Sequence, residues 1–222
     1  EGVVNDIFQR DQNKYISSLS RPLVLTLAGT YQLPQFKIYK PLSLILRDWR
    51  FGAVMIYASG LPIRSPSAQT NLNALLMRNA SPLSYANRVP GESLYLKDLN
   101  CHCIDPNKDF VLNPKAWVDP AAGQFGASAA YHNDYRYQRR PRESMSLQRN
   151  FPLTEAMQFE FRAEFSNIFN RVTMVDPVAT NAGQAQLYDK NGNTSSGFGY
   201  ISPTATSSFR PREGLIIVKL RF

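Results

Sequence analysis

Met157-Gln-Phe-Glu-Phe-Arg-Ala-Glu-Phe-Ser166 is the stretch that decides the fold. Its odd positions carry Met157, Phe159, Phe161, Ala163 and Phe165, and its even positions Gln158, Glu160, Arg162, Glu164 and Ser166. Successive side chains of a β-strand point to opposite faces, so this is a strand with one apolar and one polar side. The C-terminal segment repeats the pattern with the parity switched. Gly214, Ile216, Val218, Leu220 and Phe222 fall on one side and Glu213, Lys219 and Arg221 on the other, blurred by Leu215 and Ile217.

Three weaker segments alternate in the same way. Leu23, Leu25, Leu27 and Tyr31 share one face; Trp49, Phe51, Met55 and Tyr57 another; Met145, Leu147 and Phe151 a third. The spacing therefore predicts five long strands near 22–33, 49–59, 142–151, 157–167 and 212–222. Ten residues at ~3.3 Å each, tilted near 45°, rise ~23 Å, which matches the apolar band of an outer-membrane barrel. The connections alternate in length. A tight turn follows Phe151, and an intermediate one holds Leu42-Ser-Leu-Ile-Leu46, which reads as a short helical turn. The segments 60–141 and 168–211 are long and rich in Asn, Ser, Gly, Pro and Tyr. Loops that long argue against a compact soluble domain. Barrels instead place short turns in the periplasm and long loops outside, which also puts Phe222 on the periplasmic side.

Composition agrees with a sheet. The chain has 222 residues and 25.1 kDa, with 13 Phe, 11 Tyr, 12 Gly and 15 Pro. Aromatics and turn-formers at that level favour β structure. Mean hydropathy is −0.32 and the apolar runs are short (Leu215-Ile-Ile-Val218), so no segment approaches the ~20 apolar residues of a transmembrane helix. The +8 charge suits nucleic acid, anionic headgroups or plain solubility, and does not choose among them. Glu1-Gly-Val-Val-Asn5 has no signal-peptide pattern, leaving a cytosolic protein or a piece of a longer precursor.

These residues resemble a known family. The chain is similar to the C-terminal end of an Oar-like TonB-dependent outer-membrane receptor of the type bearing a carboxypeptidase-regulatory-like domain. The matching stretches are Ser20-Arg-Pro-Leu-Val-Leu-Thr-Leu27, Trp49-Arg-Phe-Gly52 through Tyr57-Ala-Ser-Gly-Leu-Pro62, and Asn113-Pro-Lys-Ala-Trp117. Phe161-Arg-Ala-Glu-Phe-Ser-Asn-Ile-Phe-Asn170 is the most specific, followed by Gly197-Phe-Gly199, Arg210-Pro-Arg212 and the terminal Phe222. The resemblance implies a ~22-stranded barrel with a plugged lumen, coupling to the TonB complex, and Phe222 as the signal read by the barrel-assembly machinery. Residues 1–222 are then the C-terminal part of that barrel, expected to be incomplete alone. Met157, Phe159, Phe161, Phe165, Ile216, Val218 and Leu220 are expected to face outer-membrane lipid, and Glu160, Arg162 and Glu164 the lumen.

Candidate chemistry elsewhere is sparse. Cys101-His-Cys103 lacks the second pair a zinc site needs, and reads as a loop ornament or a short local disulfide. Asp105-Pro-Asn107-Lys-Asp109 and Asp189-Lys-Asn191-Gly-Asn193 carry a partial calcium-loop spacing, without its sixth-position glycine or twelfth-position glutamate. Tyr131-His-Asn-Asp-Tyr-Arg-Tyr-Gln-Arg-Arg-Pro-Arg142 mixes aromatics with arginines as single-strand nucleic-acid binders do, but reads better as an outer rim facing headgroups. No hydrolase, zinc-protease, P-loop or dinucleotide motif is present. The expectation is an all-β, antiparallel transmembrane barrel segment, not an enzyme, with no cofactor, no catalytic residue and no nucleic-acid partner. The alternatives are an adhesion barrel without transport and a soluble β-sandwich binding module.

Overall fold

The computed structural model describes residues 9–34, 47–70, 84–205 and 210–222. The segment 42–46, read above as a helical turn, lies outside them. Among the described residues eleven strands follow in order: β1 (Val24–Gln32), β2 (Arg50–Ala58), β3 (Pro62–Arg64), β4 (Asn87–Arg88), β5 (Trp117–Val118), β6 (Tyr131–Arg136), β7 (Arg142–Pro152), β8 (Gln158–Ser166), β9 (Leu187–Tyr188), β10 (Thr194–Ser196) and β11 (Glu213–Arg221). The only helical pieces among the described residues are two 3₁₀ turns, Arg10–Asn13 and Pro114–Ala116. No described helix is long and apolar enough to cross a membrane. The chain divides into two compact units.

The sheet unit comprises Leu23–Ala58, Arg140–Thr173 and Ser207–Phe222. Its five long strands pair antiparallel in the order β1-β2-β7-β8-β11, each beside its neighbour in the chain's sequence of long strands. The register explains the alternation read from the sequence. Leu27 pairs with Met55, Phe51 with Leu147, Met145 with Phe165, Phe151 with Phe159, and Phe159 with Leu220. Residues opposite each other in an antiparallel ladder share a face, so these pairs build one largely apolar surface across all five strands. Thr30, Gly52, Ser146, Glu164 and Leu215 form one row of the other face, which is small and polar from β1 to β8. A one-residue slip would move charges into the apolar surface, which is why the pattern fixes the register.

Both outer strands are open. Every residue of β1 is exposed, and β11 is exposed except at one position. The edges of β1 and β11 are not bonded to each other, so the sheet is an open segment of a barrel wall. The turn between β7 and β8 is closed by Leu153 N–H and Thr154 N–H donating to Met157 O at 2.9 and 3.2 Å, while Thr154 Oγ1 accepts from Met157 N–H at 3.0 Å. Met157 thus belongs to the turn, one residue before the strand expected to contain it.

The second unit holds Ser59–Arg139 and Met174–Thr206 with the N-terminal segment. These residues were expected to be loops; they instead fold together around their own core. Ile63, Leu94, Val111, Leu112, Trp117, Tyr135, Phe198 and Ile201 are buried against one another. Short ladders β3–β6, β4–β5 and β9–β10 frame it. The two long connections meet in main-chain bonds: Val111 N–H donates to Gly199 O at 3.1 Å and Ser67 N–H to Thr180 O at 2.8 Å.

Candidate functional site

The polar face of the sheet unit is where charge concentrates. β8 sends Glu160, Arg162 and Glu164 to that face, and the ladder sets Gln148 of β7 and Lys219 of β11 alongside. Gln148 Nε2 donates to Glu160 Oε1 at 3.3 Å, and Arg221 Nη2 donates to Glu160 Oε2 at 3.0 Å. Arg162 and Glu164 form an adjacent ion pair. Glu160 is therefore buried by a strand neighbour on either side rather than left in water. Beyond these charges the same face carries Thr30, Gly52, Ser144, Ser146 and Ser166, which with Arg162 and Glu164 line a trough. Its floor is narrow: a Cβ on Gly52 would come 2.7 Å from Ser146 Oγ. Small hydroxyl side chains and a glycine leave room beside the charged row, and Ala28, Val54, Met145 and Phe165 complete the lining.

Phe159, Phe161, Phe165, Ile216, Val218 and Leu220 lie together on the opposite face. Two charged residues interrupt that face, and neither was singled out from the sequence. Glu143 has no exposed side-chain surface and accepts from Arg171 Nε at 2.9 and 3.1 Å. Arg149 is buried with its guanidinium carbon 4.3 Å from the Phe151 ring centre and 5.6 Å from that of Trp49. Trp49 packs edge-on against Phe161, and Phe151 packs at a tilt on Phe159. Trp49 and Phe151 cover this arginine with their rings, so a cation is held on the apolar face by packing of its stem and by cation–π attraction. The signal for it existed, since residue 149 shares parity with Leu147 and Phe151.

In the second unit the candidate residues are mostly consumed by the fold. Cys101 and Cys103 are joined in a disulfide. Asp105 Oδ1 accepts from Asn107 N–H at 3.0 Å, and Asp109 Oδ2 accepts from Asp105 N–H at 2.8 Å and pairs with Lys97 Nζ at 2.7 Å. The oxygens that the calcium reading needs thus cap a turn and balance a lysine. No cluster of three or more His, Cys, Asp or Glu able to hold a metal occurs among the described residues. Asp189 caps a hairpin turn in the same manner, accepting from Asn191 N–H and Asn193 N–H, both at 2.8 Å. The tyrosine–arginine stretch is also structural. Tyr135 is fully buried against Tyr95 and Trp117, and Arg136 donates to Asn133 O, Asn133 Oδ1, Ser20 O and Gly60 O. The rim assigned to those two residues from the sequence is accordingly corrected: β6 turns Tyr135 into the core.

Burial sets the proton affinities here. It pushes Tyr95 up to about 12, against the opposing bond to the Arg136 main chain, and raises Tyr135 further still. Burial, reinforced by the Arg88 charge, holds His132 below its usual value. Burial works against ionisation of Asp134, but the bonds from Arg88 at 2.6 and 3.2 Å outweigh it and hold the carboxyl below the usual range. Because His132 binds its proton less readily folded than unfolded, its contribution is complete above the unfolded value of ~6.5 and is lost as pH falls through the lower folded one. Asp134 follows at more acid pH with the same sign. We expect acidification to loosen this unit in two steps, followed as protease susceptibility against pH. His132→Gln should remove the milder step and leave the more acid one.

No curated protein and no solved structure matches the chain. Residues 1–213 match the family model described as outer membrane beta barrel domain, a span that takes in β1 to β10. With five long antiparallel strands in one sheet, the chain belongs to the outer membrane beta barrel domain family and is a protein of the bacterial outer membrane.

Proposed function

We propose that the chain is the C-terminal barrel section of a TonB-dependent, Oar-like receptor that takes up a ligand across the outer membrane by energy-coupled transport. The observation that carries the reading is the charged row Glu160, Arg162, Glu164 and Arg221 beside a trough of serines, threonine and glycine. That surface suits a lumen occupied by a polar plug and by water. In this reading its partners are outer-membrane lipid on the apolar face, the remaining strands and plug of the same receptor, the TonB complex through the plug side, and the barrel-assembly machinery at Phe222. It is a carrier and not an enzyme, and nucleic acid is not among its partners. The soluble β-sandwich is set aside by the family match.

The test is genetic and uses the whole gene. Deleting it should reproduce, for one nutrient or chelate in a growth panel, the defect caused by deleting TonB, and the double deletion should be no worse. A deletion phenotype confined to surface attachment, and unchanged when TonB is removed, would favour the adhesion barrel instead. That second reading draws on the core of the unit formed by 59–139 and 174–206, which gives a barrel a folded module with which to meet a partner.

Sidedness follows from the same reading. Cysteines introduced singly at the exposed positions Gln124 and Lys190 should react with an impermeant maleimide on intact cells, whereas one at Glu155 should react only after the outer membrane is opened. The labelling is done in a background in which Cys101 and Cys103, which are joined in a disulfide, are both replaced by serine, so that each introduced cysteine is the reacting thiol. Labelling of Glu155 alone on intact cells would invert the topology.

A further inference from the structure

The second unit contains one group whose chemistry neither the barrel nor its core uses. Cys101 and Cys103 are bonded to each other across a single residue, His102. A disulfide stabilises chiefly by shortening the unfolded chain's loops, and the gain shrinks with loop size, so a three-residue ring gives nearly the least a disulfide can. It also joins no two elements of the fold. The turn around it is held by other bonds. Leu99 is buried in the core and Ile104 packs against it, pinning both flanks. Cys101 N–H donates to Asp98 O at 3.1 Å, Asn100 N–H to Asp98 Oδ1 at 2.9 Å, and Arg139 N–H to Asn100 Oδ1 at 2.9 Å. On the carboxyl side Asp105 N–H is capped by Asp109. Cutting the sulfur–sulfur bond leaves all of these in place.

Access points the same way. Cys103 and His102 are exposed and Cys101 is half-buried, so the pair is open to solvent from the Cys103 side. Structural disulfides resist reduction by burial and by the fold they hold together, and this one has neither protection. Exposed disulfides with little fold energy stored behind them are the ones that exchange.

We propose that Cys101–Cys103 is a redox-active couple that undergoes thiol–disulfide exchange with low-molecular-weight thiols while the unit stays folded. A thiolate attacks the exposed Cys103 sulfur; the Cys101–Cys103 bond breaks, a mixed disulfide forms at Cys103, and Cys101 leaves as a thiolate that takes a proton from water. A second thiolate then attacks the outer sulfur of the mixed disulfide. This releases the oxidised thiol dimer and returns Cys103 as a thiol. Two electrons pass from two thiols to one disulfide, and the reverse sequence restores it.

The test uses the protein in isolated outer membranes, where both membrane sides are open to reagent and sidedness plays no part. Membranes are equilibrated in buffers of graded reduced and oxidised glutathione without denaturant, quenched in acid, and alkylated with a heavy maleimide that retards the protein on a gel. Two thiols should appear together, reversibly, at a midpoint inside the glutathione range, with the protease resistance of residues 84–205 unchanged. A pair that stays oxidised in the most reducing buffer until the protein is denatured overturns the proposal. So does reduction accompanied by loss of protease resistance, which would make the bond a structural staple. As a second readout, Cys101→Ser should gain one glutathione by mass from oxidised glutathione at Cys103 under native conditions. A variant modified only after denaturation counts against the proposal.

Discussion

Replacing Phe161 with arginine should destabilise the barrel by about 2–4 kcal/mol, the range for a cation on the lipid side at mid-membrane depth. Phe161 is the fourth of the nine residues of β8, with Arg149 opposite it on β7 and Val218 opposite it on β11. An arginine there would lose the edge-on packing of Phe161 against Trp49. It would also stand directly across the ladder from Arg149, adding like-charge repulsion. The comparison that gives the result meaning is Arg162→Ala, one residue along and on the other face. Its partner Glu164 is partly exposed, so losing that pair should cost less than ~1 kcal/mol. The measurement is urea unfolding of the whole barrel protein refolded in lipid vesicles. A large cost for Arg162→Ala with a tolerated Phe161→Arg would reverse the assignment of the two faces.

The sheet unit was legible because its information is local. A strand with one face in an apolar medium must alternate over its whole length, and β8 does so without exception. The five segments read from period two, 22–33, 49–59, 142–151, 157–167 and 212–222, each overlap one long strand of the structure. Where reading faltered, a second physical effect overlay the alternation. Arg149 has the parity of an apolar residue but carries charge, because aromatic rings cover it. Met157 has the right parity but lies in the turn, where Thr154 and Leu153 claim its backbone.

The other unit was not legible, and the reason is also physical. Its strands β3, β4, β5, β9 and β10 are two or three residues long, too short to leave a period in the sequence. Its core is assembled from residues far apart in the chain, such as Ile63, Val111, Tyr135 and Phe198. Pairing of that kind is settled by long-range packing, which no window of ten residues reports. Tyr135 shows what was available. In Tyr131-His-Asn-Asp-Tyr-Arg136 the odd positions hold both tyrosines and the even ones hold His132, Asp134 and Arg136, a two-faced strand obscured by the run of arginines after it. The candidate site divides in the same way. Glu160, Arg162 and Glu164 could be assigned to one face from β8 alone, but the bond from Arg221 that closes over Glu160 needed the pairing of β11.

The second large effect is expected where the two long connections meet. Phe198 is fully buried in the core formed mainly by the 59–139 segment, although it comes from the other connection. Phe198→Ala should cost about 3–5 kcal/mol through the lost transfer energy and the cavity left behind. The neighbouring residue offers a test by different physics. Gly199 has φ +81°, a left-handed conformation that side chains disfavour, and a Cβ there would sit 2.5 Å from Leu112 N. Gly199→Val must therefore break the Val111–Gly199 main-chain bond or move the segment around Leu112, without removing any apolar surface. Both substitutions fall inside one unit, so both should raise hydrogen exchange at Leu94–Leu112 and Val178–Ile201 together. The sheet strands β7, β8 and β11 should keep their protection. If Phe198→Ala exposed only 174–206 and left 84–139 protected, the two connections would be separate loops that merely touch. Loss of protection in both segments at once is what a shared core requires.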